Sequence, residues 1–336
     1  MRTIPIFLSS DDKFTPFLAV TISSICYNTK HFINFYILDS NIKTFNKIRI
    51  NSLTKKFKNC NIEFIKINVD KYFSNFKTNK QCNINTYFRF LIPELKQNIQ
   101  KAIYLDCDIV VLDDIVQLYE ENLENKIIGA IPEYHYTVSA VLNTVKNKCD
   151  INCNHKYFNA GVMLIDCDKW RQNSVTTKLF EIEKKYRDKL TFLDQDVLNK
   201  CFEHNYMELN IKYNIMHSSD DDIEKFNINL QNAIKNINDN IVVRHFVGIT
   251  KPWKNCHYGD CNKYIDCFNE FWFFAEMTDF YVGLKEEFMC YLINNNVKIF
   301  KLKIFGLNMF FIRNNKIYLF NIIPLIQYKT KSKFVY

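Results

Sequence analysis

Within the first 67 residues, three apolar runs at 4–8, 34–38 and 62–67 are separated by stretches with helical character. Short apolar runs of this kind read as strands covered on both faces, and the segments between them are long enough for crossovers. The polar turn Ser9-Ser10-Asp11-Asp12-Lys13 closes the first run. Thr15 stands where a helix N-cap belongs and Pro16 at the first helical position, so a helix is expected as far as Asn28. A second helix is expected over 42–57. Strands alternating with helices in this way build an α/β fold on a parallel sheet, because parallel neighbours need crossovers of about a dozen residues or more. Ligands of such sheets bind beyond the carboxyl ends of the strands.

The stretch Ala102-Ile103-Tyr104-Leu105-Asp106-Cys107-Asp108-Ile109-Val110-Val111-Leu112 sets two apolar runs around an Asp-x-Asp. Residues 103–105 are expected to form a buried strand of the parallel sheet that ends at the acids. Side chains at i and i+2 of an extended segment share a face, so Asp106 and Asp108 should aim together while Cys107 turns the other way. Two hard oxygen ligands at a strand's end suit a Mn²⁺ or Mg²⁺ ion carrying a diphosphate. The same spacing recurs at Asp166/Asp168 and Asp194/Asp196, where a solvated strand end or a helix cap explains it equally well. Only the pair at 106 and 108 has apolar runs on both sides.

Further along, Thr86-Tyr87-Phe88-Arg89-Phe90-Leu91 reads as a helical piece that Pro93 stops. Arg89 among bulky apolar neighbours needs an anionic partner, either a carboxylate or a bound diphosphate. A short strand is expected over 127–131, helical structure over 134–150, and a strong strand in Phe158-Asn159-Ala160-Gly161-Val162-Met163-Leu164-Ile165. Ala160 and Gly161 allow either a ligand or a neighbouring strand to approach the backbone closely. Helices are expected over 170–187 and 194–201. A strand at 241–244 delivers His245-Phe246-Val247-Gly248-Ile249-Thr250-Lys251-Pro252-Trp253. A His, a Gly that permits close approach and a Lys are what a metal-bound diphosphate requires, although a buried structural histidine would look the same.

The chain's 336 residues, 48% hydrophobic and 24% charged, describe a globular protein, and six Gly and six Pro leave little for flexible linkers. Twelve Cys without a Cys-x-x-Cys pair, behind an N-terminal segment with no secretory pattern, point to a reducing, cytoplasmic setting. Cys256, Cys261 and Cys267 near His257 match no standard zinc spacing. Residues 285–336 carry nine Lys/Arg against two Glu, so the tail holds +7 of the net +8.

Together these segments resemble glycosyltransferase family 8, the retaining nucleotide-sugar transferases that include glycogenin and bacterial lipooligosaccharide galactosyl- and glucosyltransferases. The resemblance rests on the Ser9 to Lys13 loop, on Thr86 to Arg89, on Tyr104 to Asp108, on Phe158 to Val162, and on Asp194-Gln195-Asp196 with His245 to Trp253. It covers roughly residues 4 to 280 and is strongest to the bacterial α-galactosyltransferases. It implies a Rossmann-like nucleotide-sugar-binding domain of the glycosyltransferase-A type over 1–280, followed by a small basic-aromatic appendage over 281–336. It further implies Asp106, Asp108 and His245 as ligands of Mn²⁺ (or Mg²⁺), with Asp106 also near the ribose or donor sugar. Gly248 and Lys251 would contact the diphosphate and Arg89 the donor, while Ser9, Asp11 and Lys13 would surround uridine. Asn159, Ala160, Asp194 and Gln195 would surround the transferred sugar, Gln195 on the face where an inverting enzyme would need a base. Glu133 stands where close relatives have Asp.

The implied reaction moves galactose or glucose from a UDP-sugar to a glycan or lipooligosaccharide acceptor; the alternative is a non-catalytic nucleotide-sugar-binding protein of the same fold. A nucleic-acid partner is not expected, since the central region lacks interleaved basic and aromatic residues and a basic tail alone is nonspecific. Within the tail, residues 304–312 and 319–327 align at a separation of 15 residues. Their interrupted apolar runs are too short to span a bilayer. They fit an interfacial segment on an anionic membrane surface or a β-hairpin-like pair packed on the catalytic domain or across a dimer.

Overall fold

The computed structural model describes residues 2–78, 83–139, 141–216, 228–237, 240–248, 251–254, 261–294, 298–302, 309–313, 316–319 and 324–327. Strands β1 (Thr3–Asp11), β2 (Phe32–Ser40), β3 (Cys60–Lys66) and β4 (Lys101–Leu105) are joined by helical crossovers. They lie side by side in the order β3-β2-β1-β4, all parallel. Alternate residues serve opposite faces. Ile4, Ile6, Leu8, Ile103 and Leu105 enter one apolar core, and Phe7, Ala102 and Tyr104 enter a second across the sheet. Burial on both faces is why these strands read as unbroken apolar runs.

The expected parallel sheet holds over these four strands and continues as a mixed sheet beyond them. After β5 (Ile109–Val111) and β6 (Ile128–Pro132), strand β7 (Phe158–Asp166) runs antiparallel to both β4 and β6, and β8 (Met207–Glu208) closes the seven-stranded sheet beside β6. Strand direction follows from the connections, and no residue pattern within a doubly buried strand records it. Between β6 and β7 the register slips from Ala130↔Met163 to Ile131↔Asn159, so Ala160 to Val162 form a bulge that leaves them without a β6 partner. Such bulges re-aim side chains and backbone groups at sheet ends.

Strand β9 (Val243–His245) pairs with β5 in a separate two-stranded ribbon. Helix Thr15–Asn28, buried over most of its length, holds that ribbon by its polar side chains: Thr21 Oγ1 lies 2.8 Å from Ile109 O, and Ser24 Oγ accepts from Val111 N at 2.9 Å. Thr15 is the first residue of this helix rather than its cap. Phe14 holds the cap position, and Asp11 Oδ1 accepts its N–H at 2.9 Å. The helix expected over 42–57 divides into Thr44–Asn51 and Leu53–Lys56 around Ser52, whose hydroxyl bonds Asp279.

Helix Tyr281–Asn294 joins the same body through Leu284, which is buried with Phe280. Beyond it, β10 (Lys298–Leu302), β11 (Met309–Arg313), β12 (Lys316–Leu319) and β13 (Pro324–Gln327) form an antiparallel sheet in chain order. Half of the residues in the aligned tail segments, 304–308 and 320–323, and Cys256 and His257, lie outside the described residues. Among the described residues no helix is long and apolar enough to cross a membrane.

Candidate active site

The site lies where β1 and β4 end, at the junction of the large sheet with the β5–β9 ribbon. The register Ile109↔His245, with Phe246 N donating to Asp108 O at 2.9 Å, brings His245 against the residues that follow β4. Carboxylate oxygens of Asp106 and Asp108 and a ring nitrogen of His245 all fall within 4.8 Å of one another. Cys107 turns away, its thiol 3.1 Å from Ser9 O. Two hard oxygens and one imidazole nitrogen converging on a point are a donor set that fits a divalent ion such as Mn²⁺ or Mg²⁺, with room in the shell for phosphate oxygens.

Each ligand is held by neighbours. Asp106 N donates to Gly161 O at 2.8 Å, and its Oδ1 accepts from Tyr104 Oη at 2.8 Å and Arg89 Nη2 at 3.0 Å. Asp108 presents Oδ1 to His245 Nε2 at 3.1 Å and Oδ2 to Lys251 Nζ at 2.7 Å. Burial alone would raise the Asp108 carboxyl, but the charges of Lys251 and His245 outweigh it and hold the group well below the usual carboxylate range. Gly161 makes room for the histidine: a Cβ there would sit 2.3 Å from His245 Cε1 and 2.8 Å from Asp106 Oδ2. The close approach that the small residues permit is therefore first of all that of the protein's own His245.

Arg89, on the 3₁₀ helix Ile84–Leu91, is only 4% exposed and has the anionic partners that its setting requires. Its guanidinium stacks 4.2 Å from the Tyr104 ring centroid, pairs with Asp106 and with Asp194 Oδ2 at 3.0 Å, and donates to Ala160 O. Those partners are carboxylates and a carbonyl of the chain itself. Asp194 is not a helix cap; it opens helix Asp194–Cys201 facing Arg89 and Thr86, and the cap position falls to Leu193 at φ 50° and ψ −114°. Burial pushes the Asp194 carboxyl up to about 6, against the opposing pull of Arg89 and Thr86. Asp196 points the other way, accepting from Thr191 N and Phe192 N at 2.6 and 2.8 Å and from Tyr157. It pins the turn that carries Leu193 and so sets where Asp194 and Gln195 begin.

Gln195 Oε1 accepts from Ala160 N at 3.0 Å, tying the glutamine to the bulge. Asn159 is buried and internally bonded: Nδ2 to Glu133 Oε2 at 2.9 Å, Oδ1 to Gly161 N at 2.9 Å and to Asn214 Nδ2 at 3.0 Å. Ser9 Oγ donates to Asn85 O at 2.6 Å, Asp11 Oδ2 accepts from Asn83 at 2.9 Å, and Lys13 is exposed, all three on the rim where β1 ends. Gly248 adopts φ 76°, a left-handed turn that glycine enters at no steric cost, and an added Cβ would lie 4.0 Å from His135 Cε1. The site residues brought together are thus Asp106, Asp108, His245, Lys251, Arg89, Asn159, Ala160, Asp194 and Gln195. Asn214 joins them without any sign in the sequence beyond a polar residue between apolar ones. Of the other two Asp-x-Asp repeats, Asp166/Asp168 has purely structural work: Asp166 caps helix Cys167–Gln172, and Asp168 pairs with Arg171.

A strand order of this kind, with acids at its carboxyl edge, is the glycosyltransferase-A type of fold. Galactosyltransferase LgtC, solved in complex with donor and acceptor sugar analogs, superposes with a TM-score of 0.70 at 25% identity, covering 84% of this chain and 100% of that one. Another LgtC structure is of an active-site variant with glutamate in place of glutamine. The family model of glycosyl transferase family 8 matches residues 5–257, and the chain belongs to that family. A Haemophilus influenzae protein whose name assigns it provisionally as a glycosyltransferase is 31% identical over 296 residues, 84% of this chain and 86% of that one. The lipopolysaccharide 1,2-glucosyltransferase of Escherichia coli is 27% identical over 190 residues, so that the match spans 55% of each.

Proposed function

We propose that this family 8 glycosyltransferase moves a hexose, galactose or glucose, from a UDP-sugar to a glycan or lipooligosaccharide acceptor with retention of the anomeric configuration. The observation that carries the reading is the Asp106–Asp108–His245 cluster, with Lys251 beside it and Gln195 beyond the Ala160–Gly161 bulge. The named activities of LgtC and of the E. coli glucosyltransferase support the choice of hexose and acceptor class.

In this reading Asp106, Asp108 and His245 would hold Mn²⁺ or Mg²⁺, and the chemistry such an ion would supply is neutralisation of the charge on the leaving diphosphate. Lys251, already charge-paired at Asp108, adds a second cation for the leaving diphosphate, and Gly248 lets the backbone come close to it. Ser9, Asp11 and Lys13 line the place for uridine at the end of β1. Arg89 aligns Asp106 and Asp194 rather than meeting the donor alone. Asp194 and Gln195 face the transferred sugar and pair with its hydroxyls, which is how a polar site discriminates between hexoses. Asn159 shapes the sugar pocket from behind, through the bulge.

Retention follows from the residue at the reacting face. An inverting enzyme needs a carboxylate base to activate the acceptor opposite the leaving group, and a carboxamide is a poor base. Gln195 orients and stabilises, while the departing phosphate accepts the acceptor's proton on the side it leaves from. A screen of UDP-glucose, UDP-galactose and their N-acetylated forms for metal-dependent UDP release, with NMR of the first product, tests the reading. An α-linked product from one of the two hexose donors is expected. A β-linked product would overturn retention, and a failure to release UDP from any donor would leave the non-catalytic binding protein in its place.

A further inference from the structure

We infer that Asn214 is a positioning residue that dictates which ring nitrogen of His245 is free to bind a metal ion, through a hydrogen-bond chain whose direction one backbone N–H fixes. The inference rests on the proposed reading in one respect: that Asp106, Asp108 and His245 hold the ion.

The derivation starts at Gly161. Its backbone N–H can only donate, and it lies 2.9 Å from Asn159 Oδ1, so that atom is the oxygen of the amide. The other end of Asn159 is then the NH₂, which donates to Glu133 Oε2 at 2.9 Å. Asn214 also meets Asn159 Oδ1, at 3.0 Å, and must do so with its own NH₂. Its oxygen is left facing His245 Nδ1 at 3.1 Å. A carbonyl oxygen can only accept, so Nδ1 carries the proton. The orientation of two amides and the tautomer of one imidazole, which a pattern of distances alone leaves open, all follow from one donor that cannot be reversed.

The consequence falls on Nε2. Nε2 lies 3.1 Å from Asp108 Oδ1 and 3.9 Å from Asp106 Oδ2, so with Nδ1 keeping its proton, Nε2 is the nitrogen whose lone pair would meet an ion held by the two carboxylates. The chain is sealed from water: Asn214 is fully buried, and Glu133, Asn159 and His245 are nearly so. Its bonds therefore act in a low-dielectric setting, where an unpaired member is costly. The backbone of Asn214 is fixed too, its carbonyl accepting from Tyr134 Oη at 3.0 Å and its N–H donating to Ile211 O at 2.9 Å. Residues that hold the far nitrogen of a metal-bound histidine commonly change metal affinity by about 10–100-fold when removed.

The test is a Mn²⁺ titration, read by the EPR signal of free Mn²⁺ in the presence of UDP, on the full chain and on Asn214→Leu, His245→Ala and the double variant. Asn214→Leu is expected to weaken Mn²⁺ by about 10–100-fold. In the His245→Ala background the same substitution is expected to change it by less than about twofold, because the two residues act as one unit. ¹⁵N NMR of the wild-type UDP–Mg²⁺ complex, which needs no variant to fold, is expected to show the His245 imino proton on Nδ1. Unchanged Mn²⁺ affinity in Asn214→Leu, an equal loss in the His245→Ala background, or a proton on Nε2 in the wild-type complex would each overturn the inference. Full Mn²⁺ affinity in His245→Ala would instead remove the metal assignment on which it rests.

Discussion

Gln195 spends its side-chain oxygen on the backbone N–H of Ala160, 3.0 Å away. A backbone N–H cannot accept, which fixes that atom as the oxygen and the other end of the amide as the donor, an end that the buried Tyr157 hydroxyl also meets. Gln195→Ala is expected to slow transfer by about 10²-fold, the usual loss when one donor in a reacting site is removed. UDP affinity measured by calorimetry should stay within about twofold. Equal rates in wild type and variant would take Gln195 out of the reaction.

Asp194 leads to a prediction about pH. Its carboxyl is pushed up to about 6 by burial, against about 3.9 in an unfolded chain. Between those values the folded state holds more protons than the unfolded one, so this group's contribution to stability is complete below about pH 4 and is lost as pH rises through 6. That difference corresponds to about 3 kcal/mol. Urea denaturation from pH 4 to 8 should therefore show wild type losing stability relative to Asp194→Asn as pH rises. Parallel curves would mean that Arg89 and Thr86 cancel the cost of burial.

The first three strands, and the two acids after the fourth, were legible because doubly buried strands are apolar throughout and carboxylates interrupt them abruptly. The division at Ser52 was not, since Ser52 keeps helical backbone angles and its N–H still donates to Ile48 O, and its hydroxyl's partner Asp279 lies more than two hundred residues away. The reversed direction of β7 was hidden for a related reason: direction lies in the connections, and the residues of a buried strand record only that both of its faces are covered. His245 was visible as a histidine at a strand's end, but its meeting with Asp108 depends on the β5–β9 register, a pairing of segments far apart in the chain. Gly161 was visible as a place of close approach, while what approaches is a side chain of the protein itself.

That contact makes Gly161→Ala informative. The new methyl group would lie 2.3 Å from His245 Cε1, which cannot be tolerated without displacing the ring or the bulge. Overpacking of this kind costs about 1–3 kcal/mol. Mn²⁺ affinity should fall together with thermal stability, whereas UDP binding in EDTA should change little. Wild-type Mn²⁺ affinity in a folded Gly161→Ala protein would mean that the bulge moves freely and that the ring position is not set there.

The last prediction concerns the tail, where β10 to β13 form a sheet of their own after helix Tyr281–Asn294. Lys301, Lys303, Lys329, Lys331 and Lys333 would each contribute about 1 kcal/mol of attraction at an anionic membrane surface. Deleting residues 297–336 leaves that helix and the body it packs on, so UDP-sugar hydrolysis should remain largely intact. Binding to vesicles of phosphatidylglycerol and phosphatidylcholine, followed by sedimentation, should be lost in the truncated protein, and in the full chain it should weaken steeply as salt is raised. Salt-insensitive vesicle binding would locate the attraction in apolar residues instead. A truncated protein that fails to fold would make the sheet a structural part of the catalytic body, and the membrane role would then lose its support.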